Sequence, residues 1–114
     1  MRGWDEAVAL ALALPETAEA TSYGEPSLKV GRSLLCRLRV ADRSLVLLGV
    51  PAEEREMLLE ADPDTFFLED HYRDHDIVLA RLDRLEAGVF RSLLERRWRA
   101  VAPRRAVRAL DGGG

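Results

Sequence analysis

Within eight positions the chain carries Glu69, Asp70, His71, Asp74, His75 and Asp76, residue types that hold divalent metals or move protons. Histidines four apart share a face only on a helix, and this segment reads as a polar loop, where that spacing fixes nothing. A loop kept polar for solubility is the preferred reading, so no metal and no cofactor is expected. His71 has no identifiable acid/base partner elsewhere in the chain. The single Cys36 falls in an alternating apolar run, where a thiol behaves as a small core residue rather than a nucleophile. No glycine-rich phosphate loop, serine elbow or paired-cysteine zinc spacing occurs. No residue is assigned a catalytic role, and the chain is read as a non-enzyme.

The other concentration of chemistry is cationic. Arg96, Arg97 and Arg99, then Arg104, Arg105 and Arg108 beyond Pro103, crowd the end of a chain whose formal net charge is −3 and whose first quarter is acidic. A chain of that net charge needs a segregated basic surface to meet a phosphate backbone. These arginines are the candidates for one, solvated side chains being the commoner explanation on such a helix, and Glu95 is placed four residues from both Arg91 and Arg99 to neutralise one of them. Lys29, Arg37 and Arg39 lie on β-type runs and add to the candidate phosphate contacts.

Positioning these groups requires a sheet and helices. Residues 33–50 read as a hairpin: Leu34, Cys36, Leu38 and Val40 alternate with Leu35, Arg37 and Arg39, and an apolar run follows from Leu45. A two-residue Asp42–Arg43 loop sets Val40 opposite Leu45 and Leu38 opposite Leu47, with Cys36 on the same face. Val46 and Leu48 then share the other face with Arg37 and Arg39, and apolar side chains there suggest a protein partner or a homodimer. Residues 4–14 form an amphipathic helix ended by Pro15, with a loop over 16–21. Leu28 to Val30 begin an edge strand. Pro51 to Ala61 form a second helix with Met57, Leu58 and Ala61 on one side. Residues 66–69 and 77–82 form a second hairpin, the latter strand internal. The apolar stripe of Val89, Phe90, Leu93, Leu94, Trp98 and Val101 marks a long helix over 86–102, with a short helix after Pro103. Tyr23 is preferred as a ring packed over a sheet end, with ligand stacking as the alternative. A small-ligand site at Tyr23, His71 and Tyr72 requires their two loops to converge.

At 114 residues the chain has room for one domain, over 1–111, with a disordered glycine tail over 112–114. No apolar run approaches the roughly 18 residues that span a bilayer, and Asp5 and Glu6 stand where a signal peptide is basic. The expected compartment is the cytoplasm, without membrane contact.

Three separated signatures, TSYGEPSLKVG, FFLEDHYR and WRAVAPRR, occur in an order that resembles the MmcQ/YjbR family. Ser22-Tyr23-Gly24, Pro26, Lys29-Val30, His71-Tyr72, Trp98 and Ala102-Pro103 match its motifs, while Asp70 and Arg104 stand where the family commonly has proline and lysine. The resemblance implies a small α+β domain with a double-winged shape and an affinity for DNA. The fold expected is a two-layer α+β domain, its antiparallel sheet carrying helices 4–14 and 86–102 on one face. The function expected is double-stranded DNA binding through Lys29, Arg37, Arg39, Arg96, Arg97, Arg104 and Arg105. The alternative is a protein-interaction or homodimer module without nucleic-acid binding.

Overall fold

A computed structural model describes residues 1–112. One sheet of six strands, β1 (Thr17–Ser22), β2 (Glu25–Val30), β3 (Ser33–Arg39), β4 (Ser44–Leu48), β5 (Phe66–Phe67) and β6 (Ile77–Arg81), is antiparallel throughout in the order β1-β2-β3-β4-β6-β5. Helices α1 (Trp4–Leu12) and α3 (Ala87–Val101) cover its inner face, α2 (Ala52–Ala61) joins β4 to β5, and α4 (Arg104–Asp111) follows α3. The α+β class and the two-layer arrangement are those expected.

Alternation explains the inner face. Leu28 and Val30, Cys36, Leu45 and Leu47, and Val78 and Ala80 point inward and meet Ala7 and Ala11 of α1 and Phe90, Leu94 and Trp98 of α3, all of them 3% exposed or less. Ala7 and Ala11 let α1 lie close to its neighbours, and Trp98 fills the centre with its Nε1–H donating to the Pro15 carbonyl at 3.1 Å. Val89 of the expected stripe lies outside this core, at 38% exposed.

The expected two-residue loop of the main hairpin is a four-residue Val40–Arg43 connection, with Leu38 opposite Leu45 and Cys36 opposite Leu47. Ser44 Oγ donates to Asp42 and Arg43 adopts a left-handed φ of 53°, chemistry that favours the longer turn. Val40 is therefore 58% exposed instead of buried. A shift of two residues preserves the division of faces, because side chains alternate with period two. A second irregularity does not preserve it. Lys29 pairs with Leu34 while Leu28 pairs with Cys36, so β3 carries one extra residue. This β-bulge turns Leu35 into the core, at 1% exposed, and puts Leu34 on the outer face, reversing the expected pattern.

The loop expected over 16–21 is instead mostly the edge strand β1, and β2 is interior rather than an edge. The sequence TAEATS lacks large β-formers, and its strand is made by pairing with β2. On α2 the residue buried is Arg55, at 4% exposed, while Met57 is 68% exposed. Of the expected tail, Gly112 closes α4 by donating its N–H to the Arg108 carbonyl at 2.7 Å; residues 113 and 114 lie outside those described.

Candidate functional site

The outer face of the sheet brings together residues that are far apart in sequence. Ser22 pairs with Glu25, leaving Tyr23-Gly24 as a two-residue hairpin loop with φ of 54° and 77°. Two successive left-handed residues make a type I′ turn, whose first position favours Asn, Asp or Gly. Tyrosine there is strained. Its ring is 90% exposed, so the expected packing over a sheet end does not occur. The contact it makes is with the Arg37 guanidinium, 5.5 Å from the ring centroid.

Arg37, on the outer face of β3, ties this hairpin to the polar segment after β5. Its Nη1 donates to Glu25 Oε1 at 2.7 Å and its Nη2 to the Tyr72 hydroxyl at 3.0 Å. The segment itself is a single 3₁₀ turn over Asp70–Tyr72, with the His71 and Tyr72 rings edge to face at 4.8 Å. Arg55 holds it from behind. Its Nη1 donates to the carbonyls of His75 and Ile77, at 2.8 and 3.1 Å, and its Nη2 to that of Arg73 at 3.1 Å. An arginine suits this task because its rigid fork of donors can satisfy several carbonyls at once.

The result is a cleft of about 570 Å³. Leu34, Val46, Leu48 and Ile77 form its floor, Tyr23 one wall, and His71, Tyr72 and His75 the other, with Arg37 between them. The loops bearing Tyr23, His71 and Tyr72 thus converge on one site. His75 joins them, and its place in the cleft was hidden in a loop that reads as merely polar. Among the described residues no three His, Cys, Asp or Glu side chains are arranged to hold a metal. Cys36 is fully buried, which pushes its thiol up to about 12.

The remaining cationic residues are placed differently. Arg39 donates to Glu69 at 2.8 and 3.0 Å and pairs with Asp42. The hydrogen bond to Glu69, foremost, raises the Arg39 pKa, and the same bond lowers that of Glu69. Lys29 shares the outer face with Leu34. On α3 and α4 the expected phosphate contacts are largely engaged within the chain. Arg96 donates to Glu54 and to the Gly49 carbonyl, Arg97 to the Leu34 carbonyl at 3.0 Å, and Arg105 to Glu16 at 2.6 and 2.9 Å. Arg99 is paired with both Asp111 and Glu95, so Glu95 does neutralise one of its two candidate arginines. Arg104 alone of the expected four has neither a carboxylate nor a carbonyl partner for its side chain among the described residues. A depression along α3 of about 400 Å³ is lined by Gly88, Arg91, Ser92, Glu95, Arg96 and Arg99, with no large apolar side chain among them.

The apolar patch that motivated a dimer is also smaller than expected. Val46 is 2% exposed and Leu48 half-buried, because the segment carrying Glu69 and Tyr72 crosses the outer face onto Arg39 and Arg37. No helix among the described residues is long and apolar enough to cross a membrane.

Replacing Arg96, Arg97, Arg104 and Arg105 together with Ser is expected to lower the melting temperature, since three of the four hold other parts of the chain. Any effect on the slope of log affinity for duplex DNA against log salt should not exceed about 0.9, the amount that corresponds to a single neutralised phosphate. A larger change would restore this surface as the phosphate site.

Comparison with known proteins places this geometry in a family. The chain is similar in fold to the crystal structure of Deinococcus radiodurans protein DR2400, whose domain is described as DUF419: 23% of residues are identical, 89% of this chain and 79% of that one are covered, and the TM-score is 0.72. No curated protein matches the chain. The YjbR family model matches residues 12–100, a span that includes all six strands, both cleft loops and Trp98, and the chain belongs to the YjbR family.

Proposed function

We propose that the domain binds nucleic acid, and that it takes a single strand across the outer face of the sheet. The observation that carries this reading is Tyr23. A large aromatic ring 90% exposed, in a backbone conformation that disfavours it, contributes no more to the fold than its contact with Arg37, and strain retained at an exposed aromatic points to ligand contact. Exposed rings beside cationic side chains bind single strands by stacking on bases, which needs few phosphate contacts and tolerates any sequence. That suits a surface where Arg37, Arg39, Arg96 and Arg105 already face carboxylates. Lys29 and the remaining N–H of each Arg37 Nη supply the phosphate contacts, the Arg37 Nε–H being buried, and the DNA affinity implied by the family resemblance is of the same chemical kind. The double-stranded mode would instead rely on the arginines of α3 and α4.

Tyr23→Asn tests the reading, because asparagine fits the turn and cannot stack. The variant should be more stable by about 0.5–1 kcal/mol from relief of the left-handed strain. It should also bind a labelled mixed-sequence 12-mer single strand about fivefold to 150-fold more weakly, the range for removing one base–aromatic stack. Fluorescence anisotropy gives the affinity and thermal melting the stability. Equal affinity of parent and variant for the single strand, or a parent preference for the matched duplex, rejects the proposal.

A further inference from the structure

The cleft combines an apolar floor with a lining that holds no carboxylate. The chain has 20 Asp and Glu against 17 Lys and Arg, yet no carboxylate lines the cleft among the described residues, where the polar groups are Arg37, His71, His75 and two tyrosine hydroxyls. Glu25, the acid nearest in the network, is turned away from it: one oxygen accepts from Arg37 and the other from the Val40 N–H at 2.9 Å. The floor is apolar, and its volume of about 570 Å³ lies inside the roughly 300–1,000 Å³ range of small-molecule sites. An apolar floor accepts a flat ring, the exposed Tyr23 ring can close over it, and cationic or neutral donors at the rim accept an anion and repel a cation.

We infer that the cleft is a discrete pocket for one nucleotide unit, a planar heteroaromatic ring against Leu34, Leu48 and Tyr23 with its phosphate toward Arg37 and the two histidines. The inference rests on the nucleic-acid reading above and deepens it, because a pocket of this kind recognises a free nucleoside monophosphate as well as a nucleotide within a strand. Arg37 is a shared element. It donates to the Tyr72 hydroxyl and lies beneath Tyr23, so it joins the two walls as well as offering N–H groups to the anion. The bulge in β3 makes the pocket possible, since without it Leu34 would face the core and the floor would lose one of its apolar side chains.

Calorimetric titration of the full chain with adenosine 5′-monophosphate, cytidine 5′-monophosphate, adenosine and inorganic phosphate, beside the 12-mer strand, separates the possibilities. The monophosphates are expected to bind one to one, more tightly than adenosine or phosphate alone. Tyr23→Asn should weaken them about fivefold to 150-fold. Leu48→Glu, which sets a carboxylate on the floor, should abolish their binding while thermal melting verifies that it folds. Should Leu48→Glu fail to fold, Leu48→Gln replaces it, with at least a tenfold loss expected. If the strand binds and the monophosphates do not, or the monophosphates bind Tyr23→Asn and the parent equally, the pocket is refuted and the strand reading stands. Monophosphate binding without strand binding keeps the pocket and removes the polymer reading. Absence of both removes both.

Discussion

Trp98→Ala should leave the domain largely unfolded at 37 °C. The indole is completely buried between α1, the sheet and the body of α3, and its N–H satisfies the Pro15 carbonyl at the bend from α1 into β1. Truncation strips apolar surface from the core and opens a cavity, at about 3–5 kcal/mol for a buried Trp, and leaves that carbonyl without its donor for about 1 kcal/mol more. A domain of this size has only about 5–15 kcal/mol in total. Trp98→Phe retains most of the ring and loses the hydrogen bond, so it should fall between the parent and the Ala variant. Urea unfolding followed by far-ultraviolet circular dichroism measures both. An Ala variant within 1 kcal/mol of the parent would show that α1 and the sheet close over the gap.

The second large effect is expected at Arg55. Arg55→Leu preserves apolar bulk and deprives three carbonyls, those of Arg73, His75 and Ile77, of their donors. Water can reach part of the exposed 73–76 segment, so the loss should come to about 2–3 kcal/mol rather than the full sum of three charge-assisted bonds. Much of it should appear locally. Amide hydrogens of Tyr72 and His75, which donate to Glu69 and Tyr72 carbonyls, should exchange at least tenfold faster, while those of β2 and β3 change only with the global stability. Arg55→Lys keeps the charge without the fork and should rescue little. Unchanged exchange at Tyr72 and His75 would show that the segment is held by its own turn and by Arg37.

These two residues illustrate what is legible in the sequence. Trp98 lies on an apolar stripe of helical period, and its burial follows from the pattern. Arg55 reads as a solvent-facing charge on a surface helix, and nothing local betrays that three backbone groups from twenty residues away converge on it. The inner and outer faces of β4, and of β3 from Cys36 onward, were readable even though the turn length was not, since an error of two residues leaves alternation intact. The bulge was unreadable because its extra residue is Leu35, adjacent to Leu34, and alternation cannot tell the two leucines apart. The same limit applies to charge. The arginines of α3 and α4 look unopposed in sequence, but Glu54 and Glu16, 42 and 89 positions distant from Arg96 and Arg105, are brought to them by the fold. Tyr23, His71 and Tyr72 are recognisable as candidate ligand residues, whereas their convergence depends on Arg37 bridging β3 to a segment 35 residues later.

The position of α3 in the chain also sets the order in which the protein is made. All six strands precede it, yet it supplies Phe90, Leu93, Leu94 and Trp98, the side chains that seal the inner face. During translation the sheet residues are therefore complete by Arg81 while their apolar side still lacks most of its cover, and the twenty residues from 82 to 101 take about 1–4 s to add at ordinary elongation rates. In that interval Leu28, Val30, Leu45 and Leu47 have been made without the α3 side chains that cover them, so the inner face of the sheet is sealed only when the last third of the chain arrives.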